Sequence, residues 1–149
     1  MRSRRSAREW ALRVLYATRM TGYDVERCFN DVLKDAKEDQ NLVFCRKLCD
    51  SVAAASDDRI DTSIRTAVQK WDLARLAIID LIILRMAVAE FLYFDDIPYK
   101  VTINEAIELA KEYSTSQSGR FVNGILDAIC AELKKNNPRR EKLETVEPR

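Results

Sequence analysis

From Asp72 to Phe94 the chain is apolar on nearly every side, interrupted after Asp72 only by Arg75, Asp80, Arg85 and Glu90. The stretch holds no Gly or Pro and is rich in Leu, Ala and Met, which lose little freedom in a helix. Asp72 stands where it can cap the first turn. A helix that is hydrophobic all round must be surrounded by other helices or by lipid. Each charge near the centre of a membrane helix costs about 2.5–3.5 kcal/mol, so several charges argue against lipid. The pattern therefore predicts the buried central helix of a bundle over 72–94. Charges five residues apart point in different directions at ~100° per residue. They cannot share one solvated stripe and need partners on neighbouring helices or at a protein interface.

The rest of the chain reads as shorter amphipathic helices. The first begins near Ser3 or Ser6 and stops at Thr21-Gly22. Its wheel places Ala7, Trp10, Ala11, Val14, Leu15 and Thr18 on a core face, and Arg5, Arg8, Leu12, Tyr16 and Arg19 together on another, with Glu9 at its edge. Asp24 can cap a second helix burying Val25, Phe29, Val32 and Leu33. A third follows Asp39, opening with Leu42-Val43-Phe44 and carrying Cys45, Leu48, Cys49, Val52 and Ala53. After a break near Ser56-Asp57-Asp58, Ile60, Ile64 and Val68 continue the period, which gives a first bundle over about residues 3–70. Pro98 closes a connection, because it excludes the αR region at the residue before it. Thr102 and Glu105 have capping-box spacing. The helix they start should bury Ile103, Ala106, Ile107 and Ala110. Beyond the polar loop 114–119, Ser118 can cap a last helix with Val122, Ile125, Leu126, Ile129 and Leu133 inward. These elements make a second subdomain over about 71–135. Residues 137–149 carry charge and proline without apolar period and are expected to be a disordered tail.

Composition agrees with an all-α chain: three Gly and three Pro in 149 residues leave little punctuation for a sheet. The length suits one domain with a real core. The net charge is only +1, yet residues 1–20 hold six arginines against Glu9 alone. Such a basic end suits a polyanion, although a solvated basic helix would have the same composition. Arginine binds phosphate bidentately and tyrosine offers a face to an unpaired base, so Tyr16 within the stripe is either a stacking residue or an ordinary boundary residue. Histidine is absent, which removes histidine-based triads, dyads and zinc sites. The three glycines are too scattered for a phosphate loop. Cys28, Cys45, Cys49 and Cys130 form no knuckle and read as buried thiols. No active site or cofactor site emerges, so a non-enzymatic protein is expected. With no signal peptide or membrane span recognisable, a cytoplasmic location is expected as well.

Three segments resemble the NusB family of transcription antitermination factors. They are Arg4-Arg5-Ser-Ala-Arg8-Glu-Trp-Ala-Leu-Arg-Val-Leu-Tyr16, the Leu-Arg-Met-Ala-Val-Ala-Glu-Phe run at 84–91, and Pro98-Tyr-Lys-Val-Thr-Ile-Asn-Glu-Ala-Ile-Glu-Leu-Ala-Lys-Glu-Tyr113 followed by Ser118-Gly-Arg-Phe-Val-Asn-Gly-Ile-Leu-Asp127. The likeness spans about residues 2–130, while 22–70 matches only in general helical character. It implies a NusB-like helical bundle: two packed three-helix subdomains, the second containing the central helix, in a single RNA-binding domain over 1–136. It also implies binding of boxA-type single-stranded RNA in nascent ribosomal transcripts. The implied partners are the ribosomal protein NusE and RNA polymerase with other Nus factors. A homodimer covering the RNA surface occurs in some members.

Carried onto this chain, the resemblance implies an RNA surface of Arg4, Arg5, Arg8 and Tyr16 with Tyr99, Gln117, Arg120 and Phe121. Members can extend the arginine cluster where Ser6 stands here and can place a carboxylate where Gln117 stands. By its own periodicity Phe121 borders the core; the resemblance makes it a stacking candidate. Asp80 is either a carboxylate for the NusE interface or half of an internal salt bridge. An alternative function is a protein-interaction adaptor without RNA affinity. A methyltransferase would need a cofactor-binding α/β sheet and further length.

Overall fold

The computed structural model describes residues 1–54, 58–68 and 76–136, and every regular element among them is an α-helix. They fall into two compact units, the second beginning at Asp58. The first holds α1 (Arg4–Thr21), α2 (Val25–Val32) and α3 (Gln40–Ala53). Each starts where a short polar side chain can satisfy an orphan N–H of the first turn. Ser3 accepts from the Ser6 N–H at 3.0 Å, Asp24 from Arg27 at 2.8 Å and Asp39 from Leu42 at 2.8 Å. Of the two serines that could open α1, Ser3 is therefore the cap. Helix α1 stops at Gly22, whose φ of 76° is the left-handed conformation that glycine adopts without a Cβ penalty. Ala7, Ala11, Val14 and Leu15 are buried, as the wheel predicts. The small alanines let α3 come close, and the Cys49 thiol lies 4.0 Å from the Ala11 carbonyl oxygen.

The second unit holds α4 (Arg59–Val68), α5 (Ile78–Tyr93), α6 (Tyr99–Tyr113) and α7 (Ser118–Asn136). Helix α5 packs on all three others, and 11 of its 16 residues are buried. The all-round apolar pattern thus marks a central helix, although its described part is shorter than 72–94. It starts after Ala77 without a side-chain cap, and the expected cap Asp72 lies outside the described residues. The expected tail, 137–149, also lies outside them.

Two boundaries differ from expectation. Helix α4 belongs with the second unit rather than extending a first bundle to residue 70, because Ile60, Ile64 and Val68 are buried as α4 packs on α5 and α7. A continuing apolar period says that a face is buried but not which helix buries it. Helix α6 begins directly after Pro98, not at a Thr102–Glu105 capping box. Proline's fixed φ, −60° here, suits that position, and Thr102 is left inside the helix for another role. Among the described residues no helix is long and apolar enough to cross a membrane.

Candidate nucleic-acid interface

The basic end of α1 is built against the start of α3. Arg4 donates through Nη1 to the Gln40 carbonyl at 3.0 Å and to Asn41 Oδ1 at 3.3 Å. Its guanidinium carbon lies 4.4 Å from the centroid of the Phe44 ring, and that of Arg8 lies 5.1 Å from the same centroid. One aromatic ring thus organises two arginines in a cation–π arrangement. The consequence for Arg8 is burial: it is only 4% exposed. Leu12 is buried beside it, so the predicted stripe divides. Arg4, Arg5, Tyr16 and Arg19 are exposed, with Tyr16 at 40%. Arg8 is not an open RNA contact in this chain. Phe44 was legible only as a core residue, since nothing in its spacing marks a ring shared by two arginines from another helix.

An acidic residue at the start of α3 is already engaged. Asp39 caps α3 and accepts from the amino-terminal ammonium of Met1 at 2.9 Å. That ammonium, together with the Leu42 N–H, holds the Asp39 carboxyl below its usual range. Further along α1, Arg13 lies over Trp10 at 4.6 Å, and Trp10 is half-buried where full core burial was expected.

The second set of predicted residues surrounds the start of α7. Gln117 and Arg120 are exposed and Phe121 is half-buried, all within about one helical turn. Tyr99 departs from expectation. It is 2% exposed and packs edge-on against Phe91, with centroids 4.9 Å apart and planes at 75°. Because α6 starts at Tyr99, this ring is committed to α5 and is a packing residue of the second unit.

The turn before α7 is tied by hydroxyls. The Ser118 N–H donates to Thr115 Oγ1 at 3.2 Å, so Thr115 occupies the capping role expected of Ser118. Ser118 Oγ lies 3.0 Å from both Ser114 Oγ and Thr115 Oγ1, and it donates to Asp80 Oδ2 at 3.0 Å. At Gly119 an added Cβ would stand 3.3 Å from Lys111 Cγ and 3.5 Å from Ile107 Cγ2, so glycine lets α7 approach α6 here. Asp80 itself is 8% exposed. The described contact is neither the outward carboxylate nor the salt bridge expected of it, but a bond from a hydroxyl within the second unit. The other charges of α5 find partners on neighbouring helices, as their spacing requires. Arg85 makes two bonds to Asp61, at 2.9 and 3.0 Å, and Glu90 accepts from Thr102 at 2.9 Å.

Chemically, the two units offer arginines fit for phosphate and aromatics fit for bases, Tyr16 on one and Phe121 on the other. A family model described as the NusB family matches residues 5–131. The chain belongs to that family. Members are transcription antitermination factors rather than enzymes. The chain is 47% identical over 137 residues to the transcription antitermination protein NusB of Chloroherpeton thalassium, covering 89% of this chain and 63% of that protein. It is 38% identical over 136 residues to that of Natranaerobius thermophilus, covering 89% of this chain and 98% of that protein. Among solved structures, T. maritima NusB is similar with a TM-score of 0.80 and 36% identity, over 87% of this chain and 92% of that one. A NusB solved with the antitermination factor NusE and double-stranded RNA is similar with a TM-score of 0.77 and 29% identity, over 87% of this chain and 96% of that one.

Proposed function

We propose that this antitermination factor binds boxA-type single-stranded RNA of nascent ribosomal transcripts. It acts in the cytoplasm with NusE and RNA polymerase, alongside other Nus factors. The observation that carries the reading is the exposed set Arg4, Arg5 and Tyr16 on a single helix. The α7 face of Gln117, Arg120 and Phe121 supplies a second contact, and the buried Arg8 supports the first from the Phe44 ring. The similar NusB solved with NusE and double-stranded RNA supports NusE and RNA as partners, and the single-stranded boxA class rests on the family resemblance. A homodimer that covers α1 would compete with RNA, and sedimentation with and without RNA reads that competition directly.

The adaptor reading keeps one specific observation in its favour: two of the arginines already have a ring to rest on. Titrating a labelled boxA oligonucleotide across salt, with and without NusE, separates the two. Arginine–phosphate contacts on a single strand give a log-affinity slope of about −0.7 per neutralised phosphate. Arg4→Gln and Arg5→Gln should each flatten the slope by about that amount and lower affinity. An unchanged slope moves the RNA surface elsewhere, and the absence of saturable binding under both conditions leaves the adaptor.

A further inference from the structure

We infer that Asp80 and Ser118 are positioning residues for the α7 RNA face: a buried carboxylate on the central helix holds the turn that presents Gln117, Arg120 and Phe121. The inference rests on the proposed RNA contact by α7 and adds residues that do not touch RNA themselves.

The direction of the hydrogen bonds carries the argument. Ser118 Oγ has one proton and gives it to Asp80 Oδ2. Its bonds with Ser114 and Thr115 must therefore be acceptances, so both of those hydroxyls donate to Ser118. Thr115 Oγ1 in turn accepts from the Ser118 N–H. Three hydroxyls of one turn thus point along a chain that ends on a single carboxylate 38 positions earlier. The turn has little else of its own to bury, since Thr115, Ser116 and Gln117 are exposed. The anchor is also undivided. Asp80 Oδ1 is buried with no hydrogen-bond partner among the described residues, so the Ser118 bond is the described tie of that carboxylate. The last bond of the chain is buried, and losing it would leave the Asp80 carboxylate without its described donor, which is costly in a buried site. Gln117 precedes Ser118 directly, and Arg120 and Phe121 follow within the same turn. Loosening the anchor therefore moves the whole presented set.

The test uses the full chain as Ser118→Ala, Asp80→Ala and Asp80→Asn, read by amide hydrogen exchange, boxA oligonucleotide affinity, NusE affinity and thermal midpoint. Ser118→Ala and Asp80→Ala should speed exchange at 116–122 at least tenfold beyond the rest of the second unit and weaken RNA at least fivefold. Asp80→Asn keeps an acceptor for Ser118 and should retain most of both properties. Arg120→Gln should cost less RNA affinity in the Ser118→Ala background than alone, because the face it belongs to is already misplaced. Should Asp80→Ala fail to fold, Ser118→Ala decides the matter by itself. Unchanged exchange at 116–122, or faster exchange throughout with normal RNA affinity, overturns the inference. So does a loss of NusE affinity from Asp80→Asn with the turn undisturbed, which would make Asp80 a partner contact. A wild-type chain without RNA affinity fails the functional reading instead, and the exchange arm still reports on the anchor.

Discussion

Arg8 rests on the Phe44 ring, its guanidinium carbon 5.1 Å from the centroid, and is buried there while Arg4, on the same ring, is exposed. An arginine in that position stabilises the fold rather than reaching for phosphate. A cation–π contact contributes about 0.5–2 kcal/mol, depending on how far it is desolvated. Arg8→Gln should therefore lower the unfolding free energy by roughly 1–2 kcal/mol. The salt slope of RNA binding should stay near that of the unaltered chain, in contrast to Arg5→Gln. Urea denaturation and RNA titration on the same two variants check the pair of expectations. Undiminished stability with a flattened slope would mean that Arg8 leaves the ring to meet a phosphate.

The same residue illustrates what the sequence could and could not convey. The helical wheel finds Ala7, Ala11, Val14 and Leu15 because any neighbour would bury them. It misjudges Arg8 and Leu12 because the edge of a buried face depends on what the next helix extends over it, here Phe44 of α3. Tyr99 enters the RNA surface through the resemblance alone, with no periodicity to test it; in the structure it opens α6 and turns its ring onto Phe91. The need of α5's charges for partners follows from periodicity. Their identities do not, since Ser118 and Thr102 meet Asp80 and Glu90 only once α6 and α7 have folded back.

Thr102 makes that last point measurable. It is buried, donates to the buried Glu90 at 2.9 Å, and caps nothing. Valine has the same shape without the hydroxyl, so Thr102→Val leaves Glu90 short of one donor. Such a loss costs about 1–3 kcal/mol in a buried site. Thr102→Ser, which keeps the hydroxyl, should recover most of it. If valine is as stable as threonine in chemical denaturation while serine loses stability, packing of the γ-methyl group is what matters and the bond contributes nothing measurable.

Cys49 should be inert in the folded chain. Its hydrogen bond with Cys45, followed by burial, pushes the thiol well above the ordinary 9.0. Since the thiolate is the reactive form, an aromatic disulfide reagent at pH 8 should modify Cys49 only after denaturant is added. The shift also has a sign for stability. The folded chain holds this proton more tightly than the unfolded chain, so the contribution is complete below pH 9.0 and falls as pH rises from there toward the raised folded value. The steepest loss from one such group is about 1.4 kcal/mol per pH unit. Cys49→Ala should make this alkaline decline shallower; an identical decline would assign it to other groups.

Tyr16 and Phe121 bear most directly on whether RNA meets both units. Tyr16 is 40% exposed on α1, in line with Arg5 and Arg19, whereas Phe121 is half-buried at the start of α7 beside Arg120. Stacking of a base on an aromatic contributes about 1–3 kcal/mol by alanine substitution, which is roughly a five- to 150-fold affinity loss. Truncating a core aromatic costs about 3–5 kcal/mol of folding stability instead. Tyr16→Ala, being the more exposed, should weaken boxA RNA at least fivefold with little change in melting temperature. Phe121→Ala should weaken RNA similarly but also lower the melting temperature, because part of its ring is already inside. Leucine separates the two roles at position 121: it refills most of the volume and offers no π face. Phe121→Leu should therefore restore the melting temperature while RNA affinity stays low. Recovery of both together would make Phe121 a core residue, and a normal affinity for Tyr16→Ala would confine the stacking surface to the second unit or remove it.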